Sequence, residues 1–219
     1  MTCGPDADEI AQADRAHANS RADIEPSRTP AALVWKASYA AEAAGNLEVA
    51  LSSLTQLPQL QNGSYLASYR RGWLLYRLGR HAESVAYYNL AIALEPAAIE
   101  PRIAKLVPLV VLTRWDDLTS TAQDILKRDP ENYLAMQRLA YARFNTQHFP
   151  DAELMYRHLV QLYPSDIEMR SGLAWALLRM GKRKEAVKLF SDVLEVAPAH
   201  ASATAGLQEA RAPERKNKR

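Results

Sequence analysis

The sequence predicts an all-α solenoid: five tandem copies of a 34-residue helix–turn–helix unit, closed by a short C-terminal helix. Three observations carry this. The 219-residue chain repeats itself with a period of 34 from Ala31 to His200, without insertion or deletion. It holds 37 alanines against 8 glycines, a mix that favours helix over sheet. Helix breakers recur at fixed places in the period, glycine near its middle and proline near its end.

The repeats span residues 31–64, 65–98, 99–132, 133–166 and 167–200. Position eight is small in Ser38, Gly72, Ala140 and Ala174, with Leu106 the exception. A small residue there lets the second helix of a repeat approach the first. Position fifteen is Gly45, Gly79 and Gly181, with Thr113 and Gln147 in the other two repeats. Glycine ends the first helix because it enters the left-handed region without strain. Position twenty (Ala50, Ser84, Leu118, Ala152, Ala186) again permits a close crossing, and position twenty-four (Leu54, Tyr88, Ala122, Tyr156, Phe190) fills the space beside it. Position thirty-two is Asn62, then Pro96, Pro130, Pro164 and Pro198, and proline stops the second helix. Pro101 and Pro150 sit near helix starts, where a missing N–H costs nothing. Pro58 is expected to shorten the second helix of the first repeat, and Pro108 to kink or break the first helix of the third.

The ends differ from the repeats. Residues 1–30 carry six acidic and three basic residues and read as a flexible acidic arm, with a short helix expected around Ala7 to Ala18. Residues 201–211 are expected to form a capping helix over the last apolar face, with Leu207 facing inward. Residues 212–219 are expected to form a basic, solvated tail.

Several function classes drop out. The longest apolar run, Leu106 to Leu112, is far short of the ~20 residues a membrane span needs. A net charge of +2 gives no reason to expect nucleic acid. One cysteine, Cys3, excludes a disulfide framework and a cysteine-cluster metal site. No phosphate-binding glycine loop, Gly-x-Ser-x-Gly or His-Glu-x-x-His motif is present, so no enzymatic activity and no cofactor are expected. His148 and His158 lack a third metal ligand nearby, and Asp116-Asp117 reads as an acidic helix start. The N-terminus has neither the basic start nor the apolar stretch of a secretory signal, which points to the cytoplasm. Cys3 followed by Gly4 has the form of a mature bacterial lipoprotein start, which keeps a cell-envelope location open.

The period, the small residue at eight, the Gly45-Asn46-Leu47 turn, the small residue at twenty and the proline at thirty-two resemble the tetratricopeptide repeat. The resemblance implies a right-handed solenoid. The family's tryptophan at position four is missing, replaced by Val34, Ser68, Arg102, Met136 and Arg170, and Arg71 and Lys105 stand where leucine is usual at seven. The resemblance further implies that the first helix of each repeat lines a concave groove, through positions two, five, six, nine, twelve and thirteen. Those positions supply Trp35 and Tyr39, then Tyr69, Arg70, Trp73, Tyr76 and Arg77. The third repeat adds Ile103, Val107 and Val110, the fourth Gln137, Arg138, Tyr141, Phe144 and Asn145, and the fifth Ser171, Trp175 and Arg179.

An aromatic stripe at helical spacing is often core, but Leu75, Leu109, Leu139, Leu173 and Leu177 already occupy core positions. The aromatics are therefore expected to anchor a protein or peptide ligand, since Trp, Tyr and Arg dominate binding hot spots. Arg70, Arg77, Arg138 and Arg179 are expected to pair with acidic residues of that ligand. Relatives that bind chaperone tails use a lysine at five and an asparagine at nine of the first repeat. Trp35 and Tyr39 stand there instead, which argues against that ligand. Two alternatives stay open: a module of a bacterial polysaccharide export system, whose sugars would stack on the aromatics, and a self-associating structural protein.

Overall fold

The computed structural model describes residues 29–212; Cys3, the helix expected around Ala7 to Ala18 and the basic tail beyond Ala212 lie outside the described residues. The chain begins with α1 (Pro30–Ala43), α2 (Leu47–Ser53) and a single 3-10 turn (Leu54–Gln56) before the short α3 (Gln59–Asn62). Then come α4 (Tyr65–Arg77), α5 (His81–Leu94), α6 (Glu100–Val111), α7 (Trp115–Arg128), α8 (Tyr133–Asn145) and α9 (Phe149–Leu162). The last three are α10 (Ile167–Arg179), α11 (Arg183–Val196) and α12 (Ala201–Arg211). Among the described residues, no helix is long and apolar enough to cross a membrane.

The 34-residue period fixes where helices stop. All five first helices end at the thirteenth position of their block, and four second helices cover positions seventeen to thirty. At position fifteen every repeat turns through the left-handed region: φ is +80° at Gly45, +75° at Gly79, +78° at Gly181, +53° at Thr113 and +64° at Gln147. The backbone requirement is the same in all five, and two repeats meet it with a residue that has a Cβ. Thr113 is also β-branched, so it carries more strain than Gln147. Thr113→Gly is expected to raise stability by about 1 kcal/mol and Gln147→Gly by less, net of the added chain entropy. Thermal unfolding of both variants checks the order; a drop in melting temperature for Thr113→Gly would refute it.

Starts are set by capping. Thr29, Ser64, Asn132, Asp166 and His200 accept hydrogen bonds from the first-turn N–H groups of α1, α4, α8, α10 and α12. Helix α6 has no such side chain and instead carries Pro101 in its first turn.

Pro58 follows a second helix that stops at Ser53 and tightens into the 3-10 turn. Pro108 does not break its helix as expected. Helix α6 runs through it to Val111, the same position at which the other first helices end. Pro108 lies in the last turn, is buried, and its carbonyl still accepts from the Leu112 N–H at 3.0 Å. The two departures at position seven have different outcomes. Arg71 is buried and plugs the irregular end of the first repeat, donating to the Leu54 carbonyl at 2.9 Å and to the Asn62 carbonyl and side chain. Lys105 is half-buried and donates to Asn89 Oδ1 at 3.0 Å.

Positions eight and twenty face each other in the first two repeats. Where one is serine its hydroxyl donates to the opposite backbone carbonyl, Ser38 to Ala50 at 2.8 Å and Ser84 to Gly72 at 2.7 Å. The third repeat inverts the volumes: Leu106 and Leu118 are large and buried, and Ala122 at twenty-four is small. The total volume is thus kept, which cores tolerate best. The buried side chains form one N-terminal, one central and one C-terminal cluster between the layer of first helices and the layer of second helices.

Candidate functional site: two aromatic hollows on the first helices

The first helices carry the aromatic residues expected at the groove, and these gather in two hollows. The N-terminal hollow, about 550 Å³, is lined by Trp35 and Tyr39 from α1 and by Leu66, Tyr69, Arg70 and Trp73 from α4. The C-terminal hollow, about 280 Å³, is lined by Gln137, Arg138, Tyr141 and Phe144 from α8, Tyr156 from α9 and Glu168, Met169, Ser171, Gly172 and Trp175 from α10, with Ser202 from α12. Between them α6 contributes the half-buried Ile103, Val107 and Val110 and no aromatic ring. Tyr76, Arg77, Asn145 and Arg179 line neither hollow. Asn145 is satisfied within its own helix, its amide donating to the Tyr141 carbonyl at 2.8 Å.

Glu42 organises the N-terminal hollow. The Trp73 indole N–H donates to Glu42 Oε1 at 2.8 Å, Arg77 lies 3.4 Å from the same oxygen, and Arg70 pairs with Oε2. Arg70 is only 6% exposed, so its charge needs this partner. Its guanidinium also donates to the Ser38 carbonyl at 3.2 Å and lies 3.8 Å from the Tyr39 ring centroid. Burial pushes the Glu42 carboxyl upward. Hydrogen bonds from Trp73 and Arg70 and the charges of Arg70 and Arg77 outweigh this and hold it below the ordinary glutamate range.

The C-terminal hollow repeats the arrangement with other partners. The Trp175 indole N–H donates to Ser202 Oγ at 2.9 Å, and Arg179 pairs with Glu209 while lying 5.0 Å from the Trp175 ring. Tyr133 braces α8 against the start of α10 by donating to Asp166, and burial together with that bond pushes its hydroxyl up to about 12.

The expectation that four groove arginines await an acidic ligand needs correction. Arg70 and Arg77 share the single carboxylate of Glu42, and Arg179 pairs with Glu209, because the carboxylates sit on adjoining helices within reach. Arg138 alone of the four has no ion pair among the described residues. Glu42 and Leu66 were legible as positions twelve and two of their repeats; Ser202 and Glu209 come from beyond the fifth repeat.

The aromatics are not all core. Tyr39 is 56% exposed, Leu66 64%, Trp73 38% and Tyr141 39%, whereas Trp35, Tyr69, Phe144 and Trp175 are half-buried. Among the described residues, no group of three or more His, Cys, Asp or Glu side chains could hold a metal ion. His200 caps α12 and His148 lies 3.0 Å from Thr146 Oγ1.

Two segments match family models described as tetratricopeptide repeat, residues 65–98 and residues 172–200. Both segments are tetratricopeptide repeats. The matches fall on the second repeat and most of the fifth, and neither is to a catalytic family. The solenoid is similar to MamA from Desulfovibrio magneticus RS-1, at 19% identity and a TM-score of 0.72 over 79% of this chain and 98% of that one. A tetratricopeptide repeat protein from Parabacteroides merdae gives 17% identity and a TM-score of 0.74 over 81% and 70%. YrrB, described as a repeat protein with an unusual peptide-binding site, gives 14% and 0.72 over 86% and 97%. At these identities the likeness is one of fold. No curated protein matches the chain.

Proposed function

We propose that this protein is a non-enzymatic scaffold that binds a peptide or an amphipathic helix along its inner face, with one apolar anchor of the ligand in each hollow. The observation that carries this is the exposure of Tyr39, Leu66, Trp73 and Tyr141 on one face, beside indoles held rigid by hydrogen bonds. Large apolar side chains that stay exposed while neighbouring leucines fill the core are the usual mark of a binding surface. Fixed aromatic anchors lose little entropy when a ligand arrives. A peptide-binding site in YrrB, on a similar fold, supports the reading.

Selection of peptides by display on the full chain tests it. Selected peptides are expected to carry two spaced apolar residues, and Tyr141→Ala and Tyr39→Ala to weaken them roughly tenfold each with the melting temperature unchanged. Binding indifferent to both substitutions would refute the groove. Titration of tryptophan fluorescence with oligosaccharides separates the carbohydrate alternative: a saturable sugar response that matches no peptide response would favour it instead.

A further inference from the structure

A third hollow, of about 320 Å³, lies on the face of α6 turned away from the inner surface. Arg102 and Lys105 of α6 line it, with Asn89 from α5 and Ser120, Thr121, Gln123, Asp124 and Lys127 from α7. Arg102 and Lys105 occupy positions four and seven, where the repeat pattern has tryptophan and leucine. Two cations thus replace two apolar core residues at one place.

Their charges are not cancelled alike. Arg102 donates to Asp124 Oδ2 at 2.5 Å and to the Ala98 carbonyl, and Arg128 lies 3.4 Å from Asp124. Asp124, the only carboxylate of this lining, is therefore fully engaged by arginines. Lys105 has a single neutral acceptor, Asn89 Oδ1. Lys127 has no ion pair among the described residues. The hollow keeps a positive excess, with the hydroxyls of Ser120 and Thr121 and the amide of Gln123 around it.

We propose that this outer hollow binds a phosphate group. A half-buried ammonium at a leucine position weakens the fold, and burial lowers its hold on the proton. The charges of Asp117 and Asp124 return part of that cost from a distance, but the acceptor in direct contact, Asn89 Oδ1, is neutral, whereas a bound dianion would meet the ammonium itself. Donors supplied by three helices suit an oxyanion with oxygens in several directions better than a planar carboxylate. The volume leaves room for the carbon group of a phosphate monoester.

Amide NMR of the full chain, titrated at constant ionic strength with inorganic phosphate, glycerol 1-phosphate or acetate, tests this. Both phosphates are expected to give saturable shifts at Asn89, Ser120 and Thr121, and acetate none. Tighter binding of glycerol 1-phosphate assigns the site to a monoester; equal or tighter binding of inorganic phosphate assigns it to the free ion. Lys105→Met is expected to weaken binding at least about tenfold, the size of one charge-assisted hydrogen bond, and to melt at a higher temperature. Lys127→Gln, at the exposed rim, is expected to weaken it about threefold and gives the same answer should Lys105→Met fail to fold. Absence of a saturable shift, an equal response to acetate, or unchanged binding in the lysine variants would overturn the proposal.

Discussion

Glu42→Gln is expected to cost about 2 kcal/mol of stability and to loosen the N-terminal hollow. Arg70 is buried and Glu42 is its charge partner, so the substitution leaves a buried cation without a counter-charge. Breaking a fully buried pair costs about 3–5 kcal/mol; Glu42 keeps an edge to solvent, which places the loss nearer the lower end or below it. Adding Arg70→Met removes the stranded charge, and the double variant should recover part of the loss. Urea unfolding of the two single variants and the double variant measures this, and a Glu42→Gln protein within 0.5 kcal/mol of wild type, a margin typical of inert surface substitutions at about that size, would contradict it.

Acid gives an independent reading. The folded Glu42 carboxyl lies below its ordinary value, so its contribution is complete above the unfolded pKa of about 4.3 and is lost as pH falls through the lower folded value. The stability gap between wild type and Glu42→Gln should therefore be constant near neutral pH and close in acid.

Gly206→Ala is expected to be more damaging than any other single methyl addition among the described glycines. A Cβ at Gly206 would lie 2.2 Å from Phe190 Cζ, and Phe190 is fully buried. The ring cannot move without disturbing Trp175, whose ring centroid is 5.4 Å away at 75°. The helix gains about 1 kcal/mol from replacing glycine by alanine. Overpacking against an immobile ring costs about 1–3 kcal/mol or more, so the net loss should be about 2 kcal/mol, and it should reach the C-terminal hollow. Gly172→Ala is the control. Its Cβ would meet Tyr156 at 2.7 Å, but Tyr156 borders the hollow and has space to give way. Calorimetric unfolding should therefore rank Gly206→Ala well below Gly172→Ala; equal stability would contradict the packing account.

What the sequence made legible follows from what a repeat enforces. The turn at position fifteen was readable even where glycine is absent, because Thr113 and Gln147 had to take the same backbone path as Gly45. The aromatic lining was readable because positions five and nine lie on one face of a helix. Charge pairing was not readable: Glu42 can pair with Arg70, 28 residues away in sequence, only because their two helices are side by side. Arg71 looked like a defect in the pattern and is a plug for carbonyls that the short second helix of the first repeat exposes. The glycines at position six, Gly172 and Gly206, carried a signal in the rings Tyr156 and Phe190 of the preceding blocks, but only the packing shows that ring and glycine touch. Pro108 does not stop its helix because a proline in the last turn removes only one hydrogen bond, close to where the helix ends in every repeat.

The most direct test of the account is to map where a selected peptide touches the folded chain. Amide and aromatic chemical shifts of the full protein should be recorded with and without saturating peptide. Changes are expected to concentrate on α1, α4, α8 and α10, at Tyr39, Leu66, Trp73, Tyr141 and Trp175, with α5, α7 and α9 largely silent. Changes concentrated on those second helices, with the inner face unmoved, would contradict it.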